Sequence, residues 1–263
     1  MSTDHSRPPA ALVMFPGLTD QVIAPTARAR LELAVDLVAP TAFASPGDLT
    51  GSVGSTVAVL ITGWGCPRLD GPVLDALPAL RMVAHAAGTV RPIVSEALWD
   101  RGVVVTSAAA ANAVPVAEFT FAAIVMILKD VFAVRDRHRT VRGREPVVDH
   151  TRMGTLGRTI GIVGASMIGR LVIERLRTLD VDVVVADPYL DDEEAAELGV
   201  RRVGLDDLLA VSDVVSLHAP LLDDTRHMIG AAQLARMADG AWLVNTARGG
   251  LVDTEALTAE VVS

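Results

Sequence analysis

The chain has 263 residues, a formal net charge of −9 and a hydrophobic share of 51%. That length suits two ordinary domains and that share allows a sizeable core, while the acidic balance argues against nucleic acid as the main partner. The single cysteine, Cys66, excludes a disulfide framework and fits a reducing, cytoplasmic setting.

The first nine residues are polar, with Pro8 and Pro9, and hold no apolar signal-peptide core. The longest apolar run, residues 119–128, is about half of a membrane span, so no membrane is expected. Residues 11–15 read as a strand, 26–38 as a helix by spacing, and 47–54 as a glycine-rich loop. A second strand over 57–62 ends in Gly63-Trp64-Gly65. A short helix over 69–77 leads to a strand over 80–85 that ends in Ala86-Ala87-Gly88-Thr89. A helix over 93–101 and a strand over 103–106 follow. Strands alternating with helices predict a parallel sheet. Ligand sites in such sheets lie beyond the carboxyl ends of the strands, which here means residues 63–65 and 87–89.

Residues 108–113 are small and surround Asn112, which reads as a helix cap. A long helix is expected from about Val116 past Leu128. The domain boundary falls here, giving residues 1–111 and 112–263. Residues 135–144 hold five arginines. Diluted by Asp136, Glu145 and Asp149, they read as a solvated helix face or a subunit surface rather than a nucleic-acid patch.

Residues 159–187 carry the clearest chemistry. Ile160 to Val163 form a short apolar run, Gly164 and Gly169 bracket a turn, and Ile168, Leu171, Val172, Leu176 and Leu179 recur at helical spacing. A β-branched run then stops at Asp187. This is the βαβ dinucleotide pattern, in which a helix N-terminus faces a pyrophosphate. Gly164 permits the turn and Gly169 close packing of helix on strand. Asp187 can accept hydrogen bonds from the adenosine ribose and would repel a 2′-phosphate, favouring NAD over NADP. Pro188 and Tyr189 bring no arginine there. Ser166 stands where the fingerprint has its middle glycine; a positive φ at that position would cost roughly 1–2 kcal/mol, and its hydroxyl could bond a phosphate oxygen.

Downstream, residues 191–198 read as an acidic helix, 200–203 as a strand, 205–210 as a helix, 213–217 as a buried strand, 231–237 as a helix and 241–245 as a strand. A last helix is capped by Asp253 or Thr254.

Several separate stretches resemble the D-isomer-specific 2-hydroxyacid dehydrogenase family. They are residues 161–169, Asp187, the run Ser212-Asp213-Val214-Val215-Ser216-Leu217-His218-Ala219-Pro220-Leu221, and above all Val244-Asn245-Thr246-Ala247-Arg248-Gly249-Gly250-Leu251-Val252-Asp253. Residues 86–89 and 112–118 resemble it too. The resemblance implies an α/β protein with a flavodoxin-like, substrate-binding lobe (1–111) and a Rossmann-type doubly wound parallel sheet (112–263). It also implies NAD-linked interconversion of a 2-hydroxy acid and a 2-oxo acid. Arg248 matches the catalytic arginine. A guanidinium can bind a carboxylate and polarise the neighbouring carbonyl, and it stays charged at any working pH.

By the same resemblance, Gly88 and Thr89 hold the substrate carboxylate, although Val90 and Arg91 replace an acid and an asparagine found in many relatives. Met167 and Ile168 match the pyrophosphate turn, where a basic residue often stands at 167. Ala219, Pro220, Thr246 and Ala247 match the nicotinamide side. Glu118 matches an acid in the linking helix with a structural role, and His218 is expected to pack near the cofactor.

The resemblance also implies a proton-transferring histidine and its glutamate downstream of residues 244–253. None of the six histidines matches that position. The expectation is therefore a chain incomplete at its C-terminal end, with an unpaired sheet edge, weak NAD binding and poor turnover. The alternatives are a dinucleotide-sensing, corepressor-like protein and a formate or amino-acid dehydrogenase of related build. The long helix and the arginine segment suggest a homodimer surface.

Overall fold

The computed structural model describes residues 7–49, 51–141 and 153–262. The first half forms strands β1 (Pro9–Val13), β2 (Asp36–Leu37), β3 (Val59–Thr62), β4 (Met82–His85) and β5 (Val104–Ser107). After the long helix Ala109–Leu128 come β6 (Arg158–Val163), β7 (Val181–Ala186), β8 (Arg201–Arg202), β9 (Val214–Leu217) and β10 (Trp242–Asn245). The chain divides into two compact units, Met1–Asn112 and Ala113–Ser263.

The first unit is a parallel sheet of order β2-β1-β3-β4-β5, the strand order of flavodoxin-like folds. Alternation along β1 feeds two cores: Ala11 and Val13 pack with Leu60 and Val83, and Ala10 and Leu12 pack with Ile61.

The second unit is a parallel sheet of order β10-β9-β6-β7-β8. Counted within the unit this is 3-2-1-4-5, the dinucleotide-binding order. Both faces are covered. Ile160, Ile162, Val185 and Val214 pack against Ala117, Ile124 and Leu128 of the long helix and Val172 and Leu176 of helix Met167–Leu176. Val163, Val184, Val215 and Leu217 pack against Leu208 and Leu209 of helix Leu205–Val211. Gly161 in β6 lets that helix lie close: a Cβ there would stand 2.4 Å from Leu208 Cδ2 and from Ser212 Oγ. Gly161→Val is expected to destabilise the chain by about 1–3 kcal/mol through overpacking, measured as a lowered urea midpoint.

Four local expectations are corrected. Residues 47–54 are not all loop, because Gly51–Thr56 is a helix. It packs so tightly that a Cβ on Gly54 would stand 2.4 Å from the Leu49 carbonyl oxygen. The helix predicted to Val38 is Pro25–Ala34, since Asp36 and Leu37 leave it to pair with Pro9 and Ala10. The first strand is Pro9–Val13 rather than 11–15. Asn112 caps nothing: the long helix begins at Ala109 and runs through Pro115. Pro115 is the seventh helical residue and forgoes the bond to the Ala111 carbonyl, while Ala113 and Ala117 are buried there. By length and composition this helix could cross a membrane, but its buried face belongs to the core of the second unit. Of the arginine segment, Arg135, Arg137 and Arg139 lie on helix Val131–Thr140; Arg142 and Arg144 lie outside the described residues.

Candidate functional site

In the second unit the chain runs from β6 outward through β7 to β8, then returns to the other side of β6 for β9 and β10. The reversal at β6 and β9 makes a crevice beyond their carboxyl ends, the place where such sheets bind ligands. Gly164 follows β6 there, and His218, Ala219 and Pro220 follow β9.

Gly164 has φ 97°, and a Cβ on it would stand 2.7 Å from Ala219 N. A Cβ on Gly169 would stand 2.2 Å from the Gly164 carbonyl oxygen. Both positions therefore need glycine for the turn to close. Ser166 has φ −65° and ψ 176°, so the anticipated positive-φ cost is absent. Instead its Oγ caps the helix, accepting from Gly169 N at 3.3 Å. Met167 and Ile168 are the first two helical residues, whose N–H groups have no carbonyl within the helix. Asp187 braces the turn: Oδ2 accepts from Ala165 N at 2.7 Å and Oδ1 from Tyr189 N at 2.8 Å. Each carboxylate oxygen keeps a further lone pair for a ribose hydroxyl.

Beside Asp187 lies a groove of about 550 Å³. Val163, Ala186, Val203, Leu205 and Met228 make it apolar, as an adenine ring requires, and Arg202 and Asp192 stand on its wall. The glycine cradle, helix start, carboxylate and apolar groove together fit a dinucleotide. A cavity of about 230 Å³ at the opposite, amino-terminal ends of the strands, lined by Arg158, Asp213 and Trp242, is remote from this chemistry. There Arg158 Nη1 donates to Asp213 Oδ1 at 2.6 Å.

Arg248 follows β10 at the same end of the sheet. Asn245 shapes its loop, donating from Nδ2 to the Arg248 carbonyl at 2.9 Å and accepting at Oδ1 from Ala247 N at 3.1 Å. Thr246 Oγ1 lies 2.8 Å from Oγ1 of Thr120, a fully buried residue of the long helix. The loop is thus tied to the helix, and the Arg248 side chain is exposed, with Nη1 donating to the Ala247 carbonyl at 2.8 Å.

His218 is buried, 4% exposed. Its Nε2 lies 2.9 Å from Ser216 Oγ, and its Nδ1 has no hydrogen-bond partner among the described residues. Burial pushes its pKa down from 6.5 to about 4. The folded state therefore holds it neutral while the unfolded chain takes up a proton below pH 6.5. The associated stability is full above pH 6.5 and is lost as pH falls toward 4, about 3 kcal/mol in all. His218→Gln is expected to flatten the fall of stability between pH 6.5 and 4, measured by urea titrations across that window.

In the first unit, Gly88 and Thr89 follow β4. A Cβ on Gly88 would stand 3.4 Å from Asn112 Nδ2, so Asn112, in the first turn of the long helix, adjoins this loop. Thr89 is exposed and its Oγ1 accepts from Arg91 N at 3.4 Å. His85, buried at the end of β4, has Nδ1 2.9 Å from Thr62 Oγ1 on β3, and burial lowers its pKa.

Residues 121–263 match the family described as D-isomer specific 2-hydroxyacid dehydrogenase, NAD binding domain. The chain belongs to the D-isomer-specific 2-hydroxyacid dehydrogenase family. The D-3-phosphoglycerate dehydrogenase of Mycobacterium tuberculosis is 33% identical over 239 residues, 86% of this chain and 44% of that protein. The glyoxylate reductase of Korarchaeum cryptofilum is 40% identical over 195 residues, 72% of this chain and 58% of that protein. Among solved structures, the D-lactate dehydrogenase of Aquifex aeolicus complexed with NAD and lactic acid has a TM-score of 0.71 at 25% identity, covering 96% of this chain and 73% of that one. The chain therefore spans less than two thirds of the length of either curated relative.

For this member of the D-isomer-specific 2-hydroxyacid dehydrogenase family the cofactor is NAD, and the two parallel sheets match the expected α/β class. The second unit brings together Gly164, Ser166, Met167, Ile168 and Gly169 around one turn, Asp187 beside it, and Ala219 against Gly164. Thr246, Ala247 and Arg248 share one loop. Sequence reasoning passed over Asn245 as a brace, although it lies within a quoted motif. It also passed over Thr120, Asp192 and Arg202, for which no local pattern exists.

Proposed function

We propose that the chain serves as an NAD-dependent oxidoreductase interconverting a 2-hydroxy acid and a 2-oxo acid. The observation that carries this reading is the Asn245-braced loop presenting Arg248 at the carboxyl end of β10, in the unit that holds the dinucleotide cradle. NAD supplies a hydride acceptor, or its reduced form a donor, when bound. Arg248 binds the substrate carboxylate and polarises the adjacent carbonyl. Ala219, Pro220, Thr246 and Ala247 serve the nicotinamide side. From the first unit, Gly88 and Thr89 are read as carboxylate-holding residues, a role the family resemblance implies.

Interconversion also needs a proton donor and acceptor near working pH. His218 does not suit: it is buried, set against Ser216 and too weakly basic. No other described histidine makes a side-chain hydrogen bond to the Arg248 loop. Slow turnover by the 263-residue chain is therefore expected. A homodimer fits the long helix, which keeps Val114 and Phe119 exposed at 39% and 66%; sedimentation would report it. A cytoplasmic setting fits the lone, buried Cys66, whose thiol burial pushes up to about 12.

The test is an NADH titration of the whole chain, followed by NADH oxidation across a panel of 2-oxo acids. Saturable binding with slow, Arg248-dependent oxidation supports the proposal. Absence of NADH binding, or turnover unchanged in Arg248→Ala, overturns it.

A further inference from the structure

The groove beside Asp187 carries a cation that the residues following β7 do not supply. β8 pairs with β7 at Val184↔Arg201 and Val185↔Arg202, and this register sets Arg202 on the groove wall with Asp187 and Asp192. Arg202 Nε donates to Asp192 Oδ1 at 2.9 Å. Its two Nη groups make no hydrogen bond among the described residues, so donors remain for an anion. Around it, Asp191 caps the helix Asp192–Leu198, and Asp192, Glu193 and Glu194 fill its first turn, with Glu194 paired to Arg170 at 3.2 Å.

We propose that cofactor choice is set jointly by Asp187 and by the Arg202–Asp192 pair, and that Arg202 is a latent 2′-phosphate-binding residue neutralised by Asp192. The inference rests on reading this groove as the adenosine half of the NAD site. A ribose with free hydroxyls meets Asp187 as an acceptor. A 2′-phosphate, with close to two negative charges, meets Asp187 and an arginine whose charge is already offset. Removing Asp187 alone therefore leaves the phosphate without an unopposed cation. Asp192 and Arg202 have side chains 86% and 42% exposed. A solvent-exposed pair contributes little to stability, so variants at these positions are expected to fold.

The experiment titrates NADH and NADPH, with 5′-AMP and 2′,5′-ADP as probes lacking nicotinamide, into the whole chain and its variants. The wild type is expected to prefer NADH by on the order of 100-fold. Asp192→Asn is expected to raise the ratio of NADPH to NADH affinity on the order of tenfold, since one nearby charge acts on a doubly charged group. Asp187→Ser with Asp192→Asn is expected to bring the ratio near unity, and adding Arg202→Ala to abolish that gain. The 2′,5′-ADP and 5′-AMP pair should move in parallel. If NADH binds but Asp192→Asn leaves the ratio unchanged, or Arg202→Ala leaves the gain of the double variant intact, the inference falls and the cofactor reading stands. If neither NADH nor 5′-AMP binds the wild type, the adenosine reading of the groove falls with it.

Discussion

Gly164→Ala is expected to abolish measurable NADH binding and to cost about 2–5 kcal/mol of stability. Two penalties add. At φ 97° a Cβ costs roughly 1–2 kcal/mol. That Cβ would also stand 2.7 Å from Ala219 N and 2.9 Å from Ala219 Cα and His218 C. These are backbone atoms, so no rotamer change relieves the overlap, and overpacking of this kind costs about 1–3 kcal/mol. Relief requires the turn after β6 or the loop after β9 to move, and both border the crevice beyond these strands, where the proposed function places the cofactor. Ser166→Ala is the natural comparison. It removes one cap bond, worth about 0.5–2 kcal/mol, and leaves the turn backbone in place. Urea midpoints and NADH titrations of both variants would check this. A Gly164→Ala chain with near-wild-type midpoint and affinity would sink the account of the cradle.

Arg248→Ala is expected to lower kcat/KM for a 2-oxo acid roughly 10²–10³-fold, the usual consequence of losing one charged donor aimed at a reacting oxygen. NADH affinity should be retained, because the residues of the glycine turn and Asp187 are untouched. Arg248→Lys keeps the charge but loses the planar fork that matches a carboxylate, so only part of the rate should return. Initial rates with NADH and the best 2-oxo acid provide the measurement. An alanine variant within a few-fold of wild type would remove Arg248 from the chemistry.

The elements most legible in the sequence are those whose function depends on neighbours in the chain. The turn from Gly164 to Gly169 and its helix are local: a strand, two glycines and apolar residues at helical spacing leave little choice of backbone. The same holds for Asp187 at the end of β7. Less legible were segments where packing overrides propensity. The long helix is expected from about Val116, yet it runs through Pro115 from Ala109, where buried Ala113 and Ala117 offset a single lost bond. Gly51–Thr56 has poor helix formers, but Gly54 fits where a side chain would strike the Leu49 and Ala76 carbonyl oxygens. Ser166 looked like a defect because the fingerprint has glycine there. Its φ of −65° makes it an ordinary helix cap.

The sequence by itself determined the α/β class, the family and the glycine turn after β6, because contiguous residues specify strand, turn and helix start. Tertiary structure alone decided three other matters: that Thr120 grips Thr246 across 126 positions, that His218 is desolvated and held neutral, and that Arg202 faces the groove beside Asp187 bound to Asp192. Desolvation and charge pairing depend on which atoms share a volume, and the pairing of β8 with β7 and the packing of the long helix bring those atoms together.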